Sequence, residues 1–160
     1  SSHFNFTILE PMGVVAIVAP EDSSLLGLIS SIIPVIVSGN TTVSIASEKL
    51  PLCAISLAEV ISNSDVPNGV VNIVTGKKEE LAPHLAQHMD VNALGLNLEN
   101  KVLKDKMVFE ATNNLKRVVD ISQYNIQESE FEAPYIVKNF MEAKTTWHPI
   151  EKDFTSSNNY

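Results

Sequence analysis

The sequence lacks features that several classes of protein require. Cys53 is its single cysteine in 160 residues, which excludes an internal disulfide and a multi-cysteine metal site and is typical of a reducing compartment. Eleven Lys and Arg against nineteen Asp and Glu give a net charge of −8, so the basic excess that nucleic-acid binding needs is missing. We therefore expect a cytoplasmic protein with no nucleic-acid partner.

Long apolar runs and targeting signals are missing as well. The most apolar stretch, residues 25–37, is interrupted by two serines and Pro34, and it falls short of the roughly 20 apolar residues that a membrane helix needs. The N-terminus lacks the basic, apolar and small-residue order of a signal peptide. We predict a buried helix at residues 25–37, and neither secretion nor a membrane partner.

The sequence does contain a regular alternation of strand-like and helix-like segments. Five short runs rich in Val, Ile and Thr predict strands, and several are too continuously apolar to have a solvent-exposed face. They are residues 14–18, 41–45, 70–74, 91–94 and 118–121. Helices are predicted between them, at residues 23–37, 51–62, 77–88 and 99–113. This order predicts an α/β domain with a doubly wound, mostly parallel, Rossmann-like sheet.

Ligands of such sheets bind beyond the carboxyl ends of the strands, so a functional site is expected in the loops that follow residues 18, 45, 74 and 94. Two further strands are predicted outside the sheet, at residues 4–9 and 143–150.

Three blocks in this framework resemble the cofactor-binding domain of the aldehyde dehydrogenase superfamily. They are EPMGVVAIVAP (10–20), IIPVIVSGNTTVSIASEKLPLCA (32–54) and VPNGVVNIVTG (66–76). NNLKRVVDIS (113–122) extends the resemblance more weakly, and KTTWHPI (144–150) is similar to the C-terminal oligomerisation strand of that family. The catalytic domain that the family carries between these last two blocks is missing from the sequence.

The resemblance implies a division of the chain into three parts. Residues 1–122 correspond to the cofactor-type α/β domain with an N-terminal oligomerisation strand. Residues 123–134 are expected to form a connecting loop, and residues 135–160 a C-terminal oligomerisation segment.

The family's chemistry uses a cysteine nucleophile, an oxyanion donor, a carboxylate base and bound NAD or NADP. By resemblance the nucleophile belongs to the missing segment, and Cys53 falls in a predicted helix as a small buried apolar residue. Asp22 stands where the family places an asparagine that donates to the oxyanion, and an ionised carboxylate has no proton to donate. Ile121 stands at the position of the general base. The resemblance thus implies no catalytic residue in this chain.

The cofactor contacts implied by the resemblance are reduced in the same way. Ile45 replaces the lysine that reaches the adenosine ribose, whereas Glu48, which accepts from ribose hydroxyls, is retained as the single candidate cofactor-binding residue. Leu98 and Glu99 replace a Gly-Ser pair that opens a phosphate-binding helix, and a carboxylate there repels a phosphate. We expect weak binding of NAD or NADP, or none.

Two other groups of side chains raise the question of a cation. His84 and His88 are four residues apart on a predicted helix, a spacing that zinc sites use, but no glutamate follows His84, and we assign no metal site. The carboxylates expected in the cofactor crevice leave open a different ligand, a cation or an amine. They are Glu21, Asp22, Glu48 and Glu99.

These observations predict a catalytically inactive aldehyde dehydrogenase-like protein that self-associates, as a dimer through its terminal strands, and acts as a structural or regulatory module. Its partner is a second copy or another aldehyde dehydrogenase-like chain. The alternative is the cofactor-binding part of an NAD(P)-dependent aldehyde oxidoreductase that another chain completes.

Overall fold

The computed structural model describes residues 3–125, 127–128 and 133–150. The strands are β1 (His3–Pro11), β2 (Val14–Val18), β3 (Thr41–Ile45), β4 (Val71–Val74), β5 (Val91–Leu96), β6 (Arg117–Asp120) and β7 (Met141–Pro149). The helices are α1 (Leu26–Val37), α2 (Leu52–Ser62), α3 (Lys78–Gln87), α4 (Lys101–Thr112) and α5 (Pro134–Lys138), and a short 3-10 turn covers Ile121–Gln123.

Five strands form one parallel sheet in the order β4-β3-β2-β5-β6. Each predicted core strand is present, and the predicted doubly wound α/β fold is confirmed. The first of these strands, β2, lies in the centre, with β3 on one side and β5 on the other. The direction of winding therefore changes at β2, which opens a crevice at the carboxyl ends of the strands.

Helices cover both faces of the sheet because its strands are apolar on both sides. On one face Ala82 and Ala86 of α3 and Met107 of α4 pack against Ala16 and Leu94 of the sheet. On the other face α1 and α2 pack over the sheet through a separate cluster. The members of that cluster are Ala19, Leu28, Ile32, Ala46 and Ala54. These two layers position the crevice between them.

Helix α1 is buried on one side only, so the expectation of a buried helix at residues 25–37 is only half correct. Leu28, Ile32 and Val35 face the sheet, whereas Ile33 and Val37 are 46% and 66% exposed. Within the described part of the chain, no helix is long and apolar enough to cross a bilayer.

Strands β1 and β7 form a separate antiparallel pair, which we call the terminal ribbon. Its register runs from His3 opposite Pro149 to Pro11 opposite Met141, and most of its residues are exposed. The two predicted terminal strands are thus confirmed, and the structure adds that they pair with each other. Nine residues at about 3.4 Å each make the ribbon roughly 30 Å long.

The base of the terminal ribbon is fixed to the body by Asn40. Its Oδ1 accepts from the Gly13 amide at 2.8 Å, and its Nδ2 donates to the Phe140 carbonyl at 2.7 Å. Gly13 has a φ of +122°, and a Cβ added there would lie 2.4 Å from Oδ1 of Asn92, so this turn requires glycine. Arg117 adds a bond of 2.6 Å from Nη1 to the Met141 carbonyl. These hydrogen bonds fix the base of the ribbon relative to the parallel sheet.

The predicted connecting loop, residues 123–134, is described only in part, because residues 126 and 129–132 lie outside the described residues. Gln123 ends the 3-10 turn and Pro134 begins α5, a helix that the sequence prediction does not contain. Of the predicted C-terminal segment, residues 151–160 lie outside the described residues.

Candidate functional site

A cleft of about 490 Å³ lies at the carboxyl ends of the parallel strands. Residues that follow each of the five strands line it, so the loops expected to carry a site are gathered in one place. Among the residues that the structure describes, its charged lining consists of five carboxylates and two ammonium groups. They belong to Glu21, Asp22, Glu48, Glu79 and Glu99, and to Lys49 and Lys78.

The Glu21 carboxylate is the most heavily bonded group of the cleft. Its Oε1 forms an ion pair with Nζ of Lys78, and its Oε2 accepts from the Ser47 hydroxyl at 2.8 Å. The backbone N–H groups of Glu48 and Lys49 also donate to it, each at 3.2 Å. The loops after β2 and β3 and the start of α3 are thereby joined through one side chain.

These contacts change the acidity of Glu21. Burial alone would raise its pKa, but the hydrogen bonds from Lys78, the Lys49 amide, Ser47 and the Glu48 amide outweigh burial and lower the pKa from 4.5 to about 2. Glu21 is therefore ionised throughout the physiological range and has no proton to give.

Lys78 is a buried residue that lines the cleft. Its side chain is 6% exposed, and its ammonium group donates to the Ala19 carbonyl in addition to the Glu21 ion pair. A buried ammonium group facing a cleft is a natural counter-charge for an anionic ligand. In this chain an internal carboxylate already neutralises it.

Glu48, the candidate cofactor residue, does lie in the cleft. Its Oε1 accepts from the backbone N–H of Lys78, the first residue of α3. The first amides of a helix lack partners within the helix, so a carboxylate placed there stabilises the helix start. Glu48 thus has a structural contact that the sequence interpretation did not include.

The other acidic positions are near the opening of the cleft. Asp22 is exposed and lies 4.0 Å from Nζ of Lys49. Glu99 is exposed and lies next to Asn100, whose side chain caps α4 by accepting from the Leu103 amide at 3.2 Å. The carboxylates expected to converge do share the cleft. However, no group of three or more His, Cys, Asp or Glu side chains in the described residues is arranged to hold a metal ion.

The remaining positions named by the resemblance are apolar or remote. Ile45 is fully buried in β3, and Ile121 is 2% exposed in the 3-10 turn. Cys53 is on α2 and is only partly buried, whereas the sequence predicted a buried side chain. It is not among the described residues that line the cleft. His84 and His88 are at the end of α3, where the His88 amide donates to the His84 carbonyl and its Nδ1 accepts from the Asp90 amide.

A second polar cluster at the edge of the cleft escaped the sequence interpretation. Nζ of Lys104 lies 2.6 Å from Oδ2 of Asp120 and 3.1 Å from Oγ of Ser122. Burial would raise the pKa of Asp120, but the contacts with Lys104 and Ser122 lower it. Lys104 is on α4 and Asp120 ends β6, so only the rule that strand ends meet at one edge could have suggested their proximity.

The terminal ribbon is the other region with exposed chemistry, here apolar. Phe4, Phe6 and Ile8 alternate along β1 and therefore lie on one face. They are 58%, 39% and 44% exposed, and Trp147 on the opposite face is 65% exposed. Large apolar side chains gathered at this exposure are typical of a contact surface.

Comparison with known proteins relates this geometry to a family. The model of the aldehyde dehydrogenase family matches residues 1–120. The NADP/NAD-dependent aldehyde dehydrogenase PuuC of Escherichia coli strain K12 is 34% identical over 119 residues, which are 74% of this chain and 24% of that protein. Aldehyde dehydrogenase, cytosolic 1, of Elephantulus edwardii is 34% identical over 115 residues, 72% of this chain and 23% of that protein.

Solved structures agree with the sequence relatives. A putative aldehyde dehydrogenase from Burkholderia cenocepacia superposes with a TM-score of 0.70 at 30% identity, over 74% of this chain and 24% of that one. The chain thus spans about a quarter of the length of the relatives it matches.

Proposed function

Because this chain belongs to the aldehyde dehydrogenase family, we propose that it is a catalytically inactive member that self-associates and acts as a structural or regulatory module. The observation that carries the proposal is the Glu21–Lys78 ion pair. The buried ammonium group that faces the cleft is neutralised by the chain itself, so it attracts an anionic dinucleotide far less than a free one would.

The residues at the positions of the family's chemistry support inactivity. Asp22, which stands for the oxyanion donor, is an exposed carboxylate at the cleft. Ile121, which stands for the general base, is a buried aliphatic side chain that accepts no proton. A developing oxyanion near Asp22 would be repelled rather than stabilised.

A turnover assay tests the inactivity. The purified 160-residue chain is mixed with short and long aliphatic aldehydes and with NAD or NADP, and the absorbance of the reduced cofactor is followed. PuuC, assayed in parallel, serves as the positive control. We expect no reduction above that of a heat-denatured sample, and reproducible turnover by the folded chain would refute the proposal.

The terminal ribbon supports the self-association. A two-stranded ribbon is marginally stable by itself in water, and this one exposes most of its residues. Light scattering behind size exclusion, at several loading concentrations, measures the mass. We expect more than the 17.5 kDa of one chain, rising toward twice that value. A mass that stays at one chain throughout contradicts the proposal.

The cofactor-binding part of an oxidoreductase completed by another chain is the second candidate. It is favoured by the position of Glu48 in the cleft and by relatives about three times as long, one of them described as NADP/NAD-dependent. Thermal unfolding with millimolar NAD or NADP separates the two candidates. A rise of the midpoint that Glu48→Gln abolishes would favour this candidate, and an unchanged midpoint favours the inactive module.

The cytoplasm is the compartment that we propose for this chain. The name of one relative describes it as cytosolic, and the single cysteine agrees with a reducing environment. Besides a second copy, another aldehyde dehydrogenase-like chain is the partner we propose to look for there.

A further inference from the structure

Strand β4 is an edge strand of the parallel sheet, and of the strands that the structure describes β3 alone pairs with it. The carbonyls of Val70 and Val74 accept from amides in and just after β3, at 2.8 and 3.0 Å. Polar backbone groups of a strand alternate between its two sides, so those of Val71 and Ile73 point away from β3. The edge therefore offers the N–H and C=O groups of two residues to a further strand.

A small apolar cavity lies beside this edge. It has a volume of about 170 Å³ and is formed by the second half of α2, the loop that follows it and β4. Val71 and Ile73 line it from β4, and Ala58 and Ile61 line it from α2. Drug-sized ligands occupy pockets of about 300–1,000 Å³, so this cavity suits a single aliphatic side chain better than a small molecule. We call the cavity and the outer side of β4 the edge groove.

The charges near the edge groove are acidic. Residues 50–76 contain Glu59 and Asp65 but no Lys or Arg. Both carboxylates are exposed, Glu59 next to Ala58 of the cavity and Asp65 next to Val66, which also lines it. Among residues 3–125, 127–128 and 133–150, neither carboxylate forms an ion pair. A segment that approaches the groove is therefore attracted if it carries Lys or Arg and repelled if it carries Asp or Glu.

The outward backbone groups and the cavity belong to the same two residues of β4. Val71 and Ile73 direct their polar backbone groups away from β3, while their side chains pack under α2. When a peptide adds as a strand to a sheet edge, main-chain hydrogen bonds supply affinity, and pockets for alternate side chains supply specificity. A strand paired with β4 would direct every second side chain toward the α2 side, where the cavity lies.

We propose that the edge groove binds an extended segment of a partner protein, which adds to the sheet as a sixth strand beside β4. The segment places one aliphatic side chain in the cavity and a Lys or Arg near Glu59 or Asp65. Because β4 has four residues, the contact is of the small, transient class. The edge groove contains no residue of the terminal ribbon, so this inference goes beyond the proposed self-association and does not depend on it.

Hydrogen exchange of the β4 amides, measured by NMR, tests the added strand. The probe is a blocked hexapeptide in which valine alternates with lysine. One control peptide has glutamate in place of every lysine, and the other has serine in place of every valine. In the free chain the amides of Val71 and Ile73 should exchange faster than that of Asn72, which faces β3.

At millimolar concentration, the valine–lysine peptide should slow the exchange of Val71 and Ile73 at least about fivefold and leave that of Asn72 unchanged. Neither control peptide should slow it. The proposal is overturned if the valine–lysine peptide has no effect, or if a control peptide slows the exchange equally.

Two matched leucine substitutions on α2 test the cavity. Ala58 lines the cavity, whereas Ser56 is exposed and is not among the described residues that line it. Both substitutions add the same side chain to the same helix, but only Ala58→Leu fills the cavity. NMR titration with the valine–lysine peptide gives the Kd, and thermal unfolding checks that both variants are folded. We expect Ala58→Leu to raise the Kd at least about tenfold and Ser56→Leu to leave it unchanged. Equal Kd values of the two variants would overturn the assignment to the cavity.

A pair of double variants tests the charges and needs no change in the apolar packing. Glu59→Gln with Asp65→Asn removes the two carboxylates near the edge groove. Asp105→Asn with Glu110→Gln removes two carboxylates from α4 and gives the same net charge. We expect only the first double variant to weaken binding of the valine–lysine peptide. Equal weakening would mean that the peptide responds to the net charge of the chain, which overturns the proposed site. Light scattering does not enter these tests, so their failure leaves the proposed self-association standing.

Discussion

Two Lys–Glu ion pairs mark the difference between the cleft and the terminal ribbon. In the cleft, the side chains of Lys78 and Glu21 are 6% and 20% exposed. On the ribbon, Lys144 and Glu10 approach to 2.7 Å, but their side chains are 52% and 39% exposed. The same two residue types thus form a buried pair in one region and a solvated pair in the other.

The difference extends to the rest of each region. The central charges of the cleft are bonded to one another and to backbone amides, whereas the large apolar side chains of the ribbon remain exposed. A ligand entering the cleft must compete with internal bonds, while a strand added to the ribbon displaces only water. The comparison therefore favours a function at the ribbon, and four predictions test it in order of decreasing effect.

The largest effect is expected from Lys78→Ala. The substitution leaves the Glu21 carboxylate without its cation in a largely buried place, which costs about 3–5 kcal/mol in the free energy of unfolding. Urea denaturation followed by circular dichroism measures the loss. Lys49→Ala is the matched control, because Lys49 and Asp22 are exposed and 4.0 Å apart, and its expected effect is below ~0.5 kcal/mol. Equal losses from the two substitutions would show that the Glu21–Lys78 pair stabilises the fold no more than the exposed Asp22–Lys49 pair does.

The second largest effect is expected from acid, which should lower the free energy of unfolding by protonating Glu21. The pKa of Glu21 is about 2 in the folded chain against 4.5 for an unperturbed glutamate, so its stabilisation is present above pH 4.5 and is lost as the pH falls toward 2. The full loss amounts to about 3 kcal/mol, of which about 2 kcal/mol disappears between pH 6 and pH 3. Asp120, whose pKa is also lowered, adds to the same trend.

Denaturation at both pH values measures this loss. Glu21→Gln provides the control, because it removes the titrating group while keeping its shape. If the variant loses as much stability as the wild type between pH 6 and pH 3, Glu21 is not the source.

Asn40→Ala tests the attachment of the ribbon to the body. It removes the acceptor of the Gly13 amide and the donor to the Phe140 carbonyl, which costs about 2 kcal/mol. Hydrogen exchange of the ribbon amides should rise more than that of β2. Asn113→Ala, which removes an exposed bond of 3.3 Å to Glu110, is the control and should change neither quantity.

The smallest effect is expected from Lys144→Ala. The Glu10 carboxylate raises the pKa of Lys144, but water reaches both groups. The midpoint of thermal unfolding should therefore change no more than in the Lys49→Ala control. A loss that approaches that of Lys78→Ala would contradict the contrast between the two regions.

The fold was largely predictable because buried parallel strands are continuous apolar runs. The errors are local. The predicted end of β5 is two residues early because Gly95 interrupts the apolar run. A Cβ at this position would lie 2.5 Å from Ile17 and 2.9 Å from Ile121, so the glycine is what allows these two side chains to pack. Helix α5 was missed because Pro134 was interpreted as the end of a loop, although proline is also common in the first turn of a helix.

The candidate site was less predictable. The resemblance names Glu48 as a candidate cofactor-binding residue, and the structure places it in the cleft, just after the end of β3. The Glu21–Lys78 pair was not foreseen, because it joins the loop after β2 to the start of α3, and no local spacing links the two. The partner of a side chain in such a cleft depends on side-chain packing, which the sequence pattern does not encode.

The long separation within the ribbon also bears on how the chain folds. Thr7 and Thr145 are 138 residues apart, so β1 can pair with β7 only after nearly all of the described chain has been synthesised. Closing so long a loop is entropically costly and slow, and it follows the local strand and helix contacts of the body. During synthesis Phe4, Phe6 and Ile8 therefore emerge long before β7 does and lack its cover until β7 has been made. The strand for which we propose a role in self-association is thus also a segment exposed to misassociation before folding is complete.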